Sequence, residues 1–204
     1  MYREFADNVR EAKKDLRNKY KQIRNDMPAE LKTAYDKAIC DALLSLASFR
    51  FSETILMYAP INGEIDVMAI AENALALGKK VAFPVCDPET HTMEFKYVTS
   101  TELLTPGHYS IFEPSAELET VTVFSRSICL IPGIIFDTQG YRVGYGKGYY
   151  DRFLADYDGT KFGLVYSDFI LDVVPRGRFD RHVDVLISEK GVRLAESKSD
   201  KKAK

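Results

Sequence analysis

LIPGIIFDTQGYRVGYGKGYYDRFL, residues 130–154, passes from an apolar run through a glycine-rich turn into a helical pattern. The run begins upstream, as SICLIPGIIF at 127–136, and its lack of any polar break predicts a central strand buried on both faces. YYDRFLADY, 149–157, predicts the helix that follows. Between them Gly144, Gly146 and Gly148 alternate with Tyr145 and Lys147. Glycine tolerates φ > 0 and lets main-chain amides come close to a ligand. Successive N–H groups in such a turn form a concave anion site, and the first turn of a helix adds roughly half a positive charge. Arg142 and Lys147 add whole charges beside it. The stretch reads either as a polyphosphate cradle or as a structural turn. It is not a Walker A loop, because no Ser or Thr follows Gly146-Lys147, and it lacks the dinucleotide GxGxxG spacing.

Outward from this stretch, strands and helices alternate. TILMYAP (54–60), KVAFPV (80–85), HTMEFKYV (91–98), KFGLVYS (161–167) and VDVLIS (183–188) read as strands, with Pro84 expected to end regular pairing. VMAIAENALAL (67–77) reads as a helix with Asp66 as N-cap and Gly78 at C′. STELLTPGHYSIFEP (100–114) suggests a short helix and an irregular loop. This order predicts a three-layer α/β/α domain with a mostly parallel central sheet, preceded by a long N-terminal amphipathic helix. Ligands of such sheets sit at the carboxyl ends of the strands, which directs attention to the loops after Tyr58, Ile135 and Val165. Residues 1–194 are expected to form one domain and 195–204 a charged, disordered tail.

In the first helix, Phe5, Val9, Ala12, Leu16, Tyr20, Ile23 and Met27 form an apolar stripe. At about 100° per residue, Arg10, Lys13, Lys14, Arg17, Lys21 and Arg24 cluster on one flank, and Glu4, Asp7, Glu11 and Asp15 on the other. The basic flank is either a solvated face with i,i+4 pairs or a surface that meets an anion. A second helix starts at Pro28, with Leu31, Ala34, Tyr35, Ala38, Ile39, Ala42 and Leu46 as its core face.

The 204 residues carry 28 Lys+Arg against 30 Asp+Glu, a net charge of −2, which argues against a non-specific nucleic-acid coat. No apolar run approaches the ~20 residues of a membrane helix, and the charged start has no secretory h-region. Cys40, Cys86 and Cys129 are widely spaced with no CxxC, as expected of reduced, buried thiols in a cytoplasmic protein. Asp151, in the first turn of its helix, either complements the helix dipole or binds magnesium. Asp180 reads as a turn residue or as a second ligand. Glu64 reads as a capping carboxylate or as a contact for a ring with adjacent N–H donors. His91, His108 and His182 read as loop residues without a metal partner, His91 exposed in a turn.

In its motif order, nearly the whole chain, from about Lys13 to Ile187, resembles the 5-formyltetrahydrofolate cyclo-ligase (methenyltetrahydrofolate synthetase) family. The glycine-rich stretch quoted above is the most specific part. KKDLR (13–17), YAPINGEID (58–66), FPVCD (83–87), GHYSIFEP (107–114) and FDRHVDVLIS (179–188) support it in the same order. The resemblance implies conversion of 5-formyltetrahydrofolate and ATP to 5,10-methenyltetrahydrofolate, ADP and phosphate with Mg2+, through phosphorylation of the formyl oxygen. It implies ATP contacts from Lys13, Arg17 and the run Arg142, Val143, Gly144, Tyr145, Gly146, Lys147, Gly148, Tyr149 and Tyr150. It implies catalytic roles for Arg142, Lys147 and Tyr150, and metal ligation by Asp151 and Asp180. Folate contacts are implied for Glu64, for Ala59 with its neighbours Met57 and Tyr58, and for Tyr145 to Tyr149. Tyr145 stands at a variable position of the family. The resemblance further implies a reduced folate as substrate, and the chain is expected to act as a monomer, without nucleic acid or membrane. Two alternatives stay open: a related ATP-dependent ligase or kinase acting on another formamide or small acid, and a non-catalytic binder of folate or nucleotide.

Overall fold

The computed structural model describes residues 2–108 and 111–196. Two long helices open it, α1 (Tyr2–Asn25) and α2 (Ala29–Ser45), hinged at Pro28, which needs no helical N–H partner at that boundary. Then come α3 (Ala47–Phe51), β1 (Thr54–Leu56), α4 (Met68–Ala76), β2 (Lys80–Cys86), β3 (Met93–Val98), β4 (Thr105–Pro106) and β5 (Phe112–Glu113). The second half holds β6 (Ser127–Ile131), β7 (Ile135–Asp137), β8 (Arg142–Val143), α5 (Tyr149–Asp156), β9 (Thr160–Leu164), β10 (Ile170–Leu171), β11 (Val185–Ser188) and β12 (Gly191–Leu194). Among the described residues no helix is long and apolar enough to cross a membrane.

Seven strands make one sheet in the order β12-β11-β9-β6-β1-β2-β3. The five inner strands are parallel, and both edges, β12 and β3, are antiparallel. From β1 the chain steps through α4 to β2 on one side; from β6 it steps through α5 to β9 on the other. Right-handed crossovers in opposite directions put α4 and α5 on opposite faces of the sheet. The sheet is therefore the middle of three layers, with α2 packed against β11, β12 and α4. The direction switches between β1 and β6, and the crevice of such a sheet opens there, at the strand carboxyl ends. Every residue of β1 and β6 is buried, as the apolar runs require.

Several expectations need correction. SICLIPGIIF is two strands in two sheets: β6 ends at Ile131, and β7 joins a separate sheet of order β10-β7-β8. Pro132 has no N–H for the ladder. A Cβ on Gly133 would lie 2.4 Å from the Phe136 ring, so the glycine lets that ring fold back beneath the turn. Pro84 does not end β2, which stays paired opposite Phe95 and runs to Cys86. The Ala82 carbonyl accepts from Met57, so Pro84, two residues on, turns its nitrogen to the same side, where β1 has already ended. Asp66 is not the N-cap: α4 starts at Met68 with Val67 in that position, and Asp66, one residue earlier, accepts from the Met68 N–H at 3.0 Å. Gly78 takes φ +72°, as a C′ glycine does.

Ile23 is 43% exposed, and on α2 Leu31 and Ala34 face solvent. Asp36, Cys40 and Leu43 turn inward instead. The strand β12 gives no apolar signal in the sequence, because most of its side chains are exposed. The backbone N–H groups of Ala195 and Glu196 donate to Asp184 and Thr138, so the expected tail is tied down at its first two residues; 197–204 lie outside the described residues. The three cysteines are buried and unbridged.

Asp36 joins α2 to the sheet: its carboxylate accepts from the Tyr166 hydroxyl (2.6 Å), the Asp66 N–H (3.1 Å) and Lys32. Asp36→Ala leaves the buried Tyr166 hydroxyl without an acceptor. Urea unfolding should show a loss of about 2–3 kcal/mol, and Asp36→Asn a smaller one.

Candidate active site

A cleft of about 980 Å³ opens at the β1/β6 switch point. Its floor is the glycine-rich loop between β8 and α5. Gly146 (φ +95°) and Gly148 (φ +76°) occupy the left-handed region, whereas Gly144 does not. Gly148 immediately precedes α5, so the amides of the first turn and its partial positive charge face the cleft. A Cβ on Gly146 would sit 3.1 Å from the Arg17 guanidinium, so only glycine combines this backbone with that approach.

The basic flank of α1 makes one wall. Arg17 donates from Nε to the Gly144 carbonyl at 2.8 Å, and Lys13 is ion-paired with Asp180. Arg24 is buried and donates to the Asn62 carbonyl (2.9 Å) and the Tyr145 hydroxyl (2.7 Å). Lys21 lies over the Tyr145 ring, Arg10 reaches the cleft mouth, and Lys14 stays in solvent. The flank is thus largely turned toward the body of the protein rather than solvated. Burial pulls the Arg17 pKa below its ordinary value, because protein has replaced part of its water shell.

The two aspartates meet in this cleft. Arg142, 7% exposed, donates from Nη2 to Asp151 and from Nη1 to the Arg181 carbonyl, each at 2.9 Å. The Arg181 N–H donates back to Asp151 at 3.1 Å, and Asp180 accepts from the Gly177 N–H at 2.8 Å. One guanidinium therefore stitches the first turn of α5 to the turn that carries Asp180. No group of three or more His, Cys, Asp or Glu able to hold a metal occurs among the described residues. Carboxylates are the hard oxygen donors that magnesium takes alongside waters and phosphate oxygens; here Asp151 is paired with Arg142 and Asp180 with Lys13.

The loop after β1 adjoins both α1 and the glycine-rich loop and completes the lining. Glu64 is 6% exposed and accepts from the Ile61 N–H of its own turn at 3.0 Å, so it does not cap α4. Burial pushes its pKa up to about 7, against the pull of that N–H, the Arg24 charge, the Tyr145 hydroxyl and Lys21. Tyr58 and Ala59 line the cleft beside it, with Pro84, Cys86, Met93 and Ile111 adding an apolar side. Lys147 is exposed on the loop, and Tyr149 donates to the Asp87 carbonyl at 3.3 Å. The Tyr150 hydroxyl is buried with no hydrogen-bond partner among the described residues, although its residue lines the cleft.

Some expected residues lie elsewhere. Met57 is fully buried in the core, and Val143 is 1% exposed with its carbonyl accepting from Ile134. The loop after Val165 packs beneath the cleft through Tyr166 and Phe169 and does not line it. His91 is half-buried against the Tyr149 ring rather than exposed. His108 and His182 are exposed. Arg24, Asn62 and Phe179 line or brace the site without having been singled out as ligand contacts. For Arg24 the signal was present, since it lies two helical turns beyond Arg17 on the same flank.

The model of the 5-formyltetrahydrofolate cyclo-ligase family matches residues 9–189. The chain is 26% identical over 194 residues to a probable 5-formyltetrahydrofolate cyclo-ligase of Caenorhabditis elegans, covering 89% of this chain and 94% of the relative. It is 26% identical over 174 residues to the 5-formyltetrahydrofolate cyclo-ligase of Haemophilus influenzae, covering 82% and 92%. Among solved structures, Aquifex aeolicus 5,10-methenyltetrahydrofolate synthetase superimposes with TM-score 0.79 at 33% identity, covering 91% of this chain and 93% of that one.

The Glu64 pKa makes a testable statement about stability. A carboxyl raised from 4.5 to about 7 on folding favours the folded state when protonated. Its contribution, of order 3 kcal/mol, is fully present below about pH 4.5 and lost as pH rises through about 7. Chemical unfolding of Glu64→Gln should lack this decline, so the variant gains on the wild-type protein as pH increases.

Proposed function

The chain belongs to the 5-formyltetrahydrofolate cyclo-ligase family, and from that premise we propose that its cleft couples ATP to the closure of 5-formyltetrahydrofolate into 5,10-methenyltetrahydrofolate. The observation that carries the reading is the convergence on one cleft of Asp151, Asp180, Lys13, Arg17 and the glycine-rich loop with, at the Asn62 turn, the buried Glu64. The former suit a triphosphate. The latter suits a flat heterocycle presenting adjacent N–H donors.

The chemical difficulty is that a formamide oxygen is a poor leaving group. The formyl oxygen attacks the γ-phosphorus of ATP, an O–P bond forms, the bond to the bridging oxygen breaks, and ADP departs. The neighbouring folate nitrogen then adds to the activated carbon and gives up its proton. Phosphate leaves with the C–O electron pair, and the five-membered ring is closed. Alignment and charge neutralisation are what such a transfer asks of a protein. In this reading the amides around Gly146 and Gly148, with Lys13, Arg17 and Lys147, take the phosphates. The unpaired Tyr150 hydroxyl donates to a phosphoryl oxygen, and Arg142 holds Asp151 in place. Asp151 and Asp180 would hold Mg2+, which when bound neutralises charge on the phosphate oxygens. Glu64 accepts from the pterin, with Ala59 and the Tyr145–Tyr149 stretch bordering it. The same reading has the protein act as a cytoplasmic monomer, without nucleic acid.

Purified protein should form the methenyl product, followed by its absorbance, only when ATP and Mg2+ are both supplied; no product under any nucleotide condition refutes the reading. Asp151→Asn should lower turnover about 10²-fold or more with melting behaviour preserved. Glu64→Ala should raise KM for the folate about tenfold while KM for ATP stays within about twofold.

A further inference from the structure

Arg24 carries no role so far beyond bracing the cleft, yet its placement is unusual for an arginine on a surface helix. It is 5% exposed. Its Nη2 donates both to the Asn62 carbonyl, in the turn that leads to Glu64, and to the Tyr145 hydroxyl, in the glycine-rich loop. Its Nε is buried without a partner. Asn62 (φ +48°) and Gly63 (φ +73°) both hold left-handed backbone directly over this side chain, with the Gly63 Cβ position 3.8 Å from Nε. Arg24 and Glu64 also share the wall of a small cavity of about 10 Å³, closed by Tyr58 and Pro132. That is room for about one water.

The groups acting on Glu64 come from four elements. They are Arg24 and Lys21 from α1, Tyr145 from the glycine-rich loop, Tyr58 from the end of β1, and Tyr150 from α5, besides the Ile61 N–H of its own turn. The two α1 residues are the cations that act on its carboxylate, Lys21 the more exposed of them, while Lys32 of α2 donates to the Glu64 backbone carbonyl at 2.9 Å. We infer that Arg24 is a positioning residue for folate recognition: it fixes the Tyr145 hydroxyl and the Asn62 turn around Glu64 and favours the charged form of the Glu64 carboxylate, the form that accepts from the pterin. The inference rests on the reading of Glu64 as the folate contact. Physically, a carboxylate that is almost wholly buried loses its water, and a neighbouring fixed cation offsets that loss. After the Ile61 N–H, the Arg24 charge is the strongest influence holding the Glu64 pKa down. Helix α1 thus touches the phosphate side through Lys13 and Arg17 and the folate side through Arg24.

The test is calorimetric binding of 5-formyltetrahydrofolate to the full chain, without nucleotide, from about pH 6 to about pH 9. Wild-type protein should bind more weakly on the acid side, with an inflection near 7. Arg24→Gln should weaken binding about tenfold at neutral pH and move the inflection up by about one pH unit, so that affinity recovers in alkali. Arg24→Lys, which keeps the charge, should leave the inflection near its wild-type position. KM for ATP should stay within about twofold in both. Tyr145→Phe removes the hydroxyl that Arg24 holds and should move the inflection in the same direction by less; it serves should Arg24→Gln not fold. An inflection that disappears in Glu64→Gln but does not move in Arg24→Gln or Tyr145→Phe overturns the inference alone. An inflection that persists in Glu64→Gln overturns the assignment of Glu64 and the inference with it.

Discussion

Arg142 is the residue through which the two ends of the functional cleft are made one object. Its guanidinium is buried and donates to the Asp151 carboxylate and the Arg181 carbonyl. A buried charge with hydrogen bonds at both terminal nitrogens does not move freely, and removing one partner from such an arrangement typically costs about 3–5 kcal/mol. The turn it grips is tied again from below. Asp137, wholly buried, accepts from the Gln139, Tyr141 and Val174 N–H groups and from Arg176. Gly140 accepts from Val183 beyond the turn. Asp180 therefore hangs on a loop fastened at both ends, and its place beside Asp151 is set by the bonds from Arg142, Arg181 and Gly177.

The same economy of position explains why α1 is long, polar and yet part of the site. Its apolar stripe is covered only in part. Ile23 is left in solvent while Arg24 goes inside, because the cleft presents carbonyls, a hydroxyl and a carboxylate that only cations and donors can satisfy. Leu16 and Tyr20 still pack on the core, Tyr20 edge-on to Phe169, so the helix is anchored by apolar contact and oriented by charge. A helix held in this way brings fixed positive charge to a phosphate-sized space without exposing it fully to screening by water.

The proline and glycine positions show how local rules and tertiary context divide the work. Gly78, Gly146 and Gly148 adopt the left-handed backbone that their place at a helix end or in a tight turn demands. Pro84 stays inside a strand because the neighbouring strand stops short of it, a fact of register that no single segment contains. The Pro132-Gly133 step splits one apolar run between two sheets for a similar reason: the Phe136 ring needs the space that the glycine leaves open.

What the amino-acid order by itself determined was the alternation of strands and helices, the largely parallel sheet, the buried thiols, the glycine-rich turn before α5 and the family to which that turn belongs. Each of these rests on spacing along the chain: periodicity, capping residues, and the close run of Gly144 to Asp151. What only the tertiary structure decided was which charges face which. Asp36 and Arg24 are buried, Asp151 meets the Asp180 turn through Arg142, Met57 and Val143 belong to the core, and Glu64 answers to a helix that begins the chain. Such pairings join residues far apart in sequence. Their energies come from desolvation and from hydrogen bonds closed across the fold, and neither quantity exists until the chain has folded.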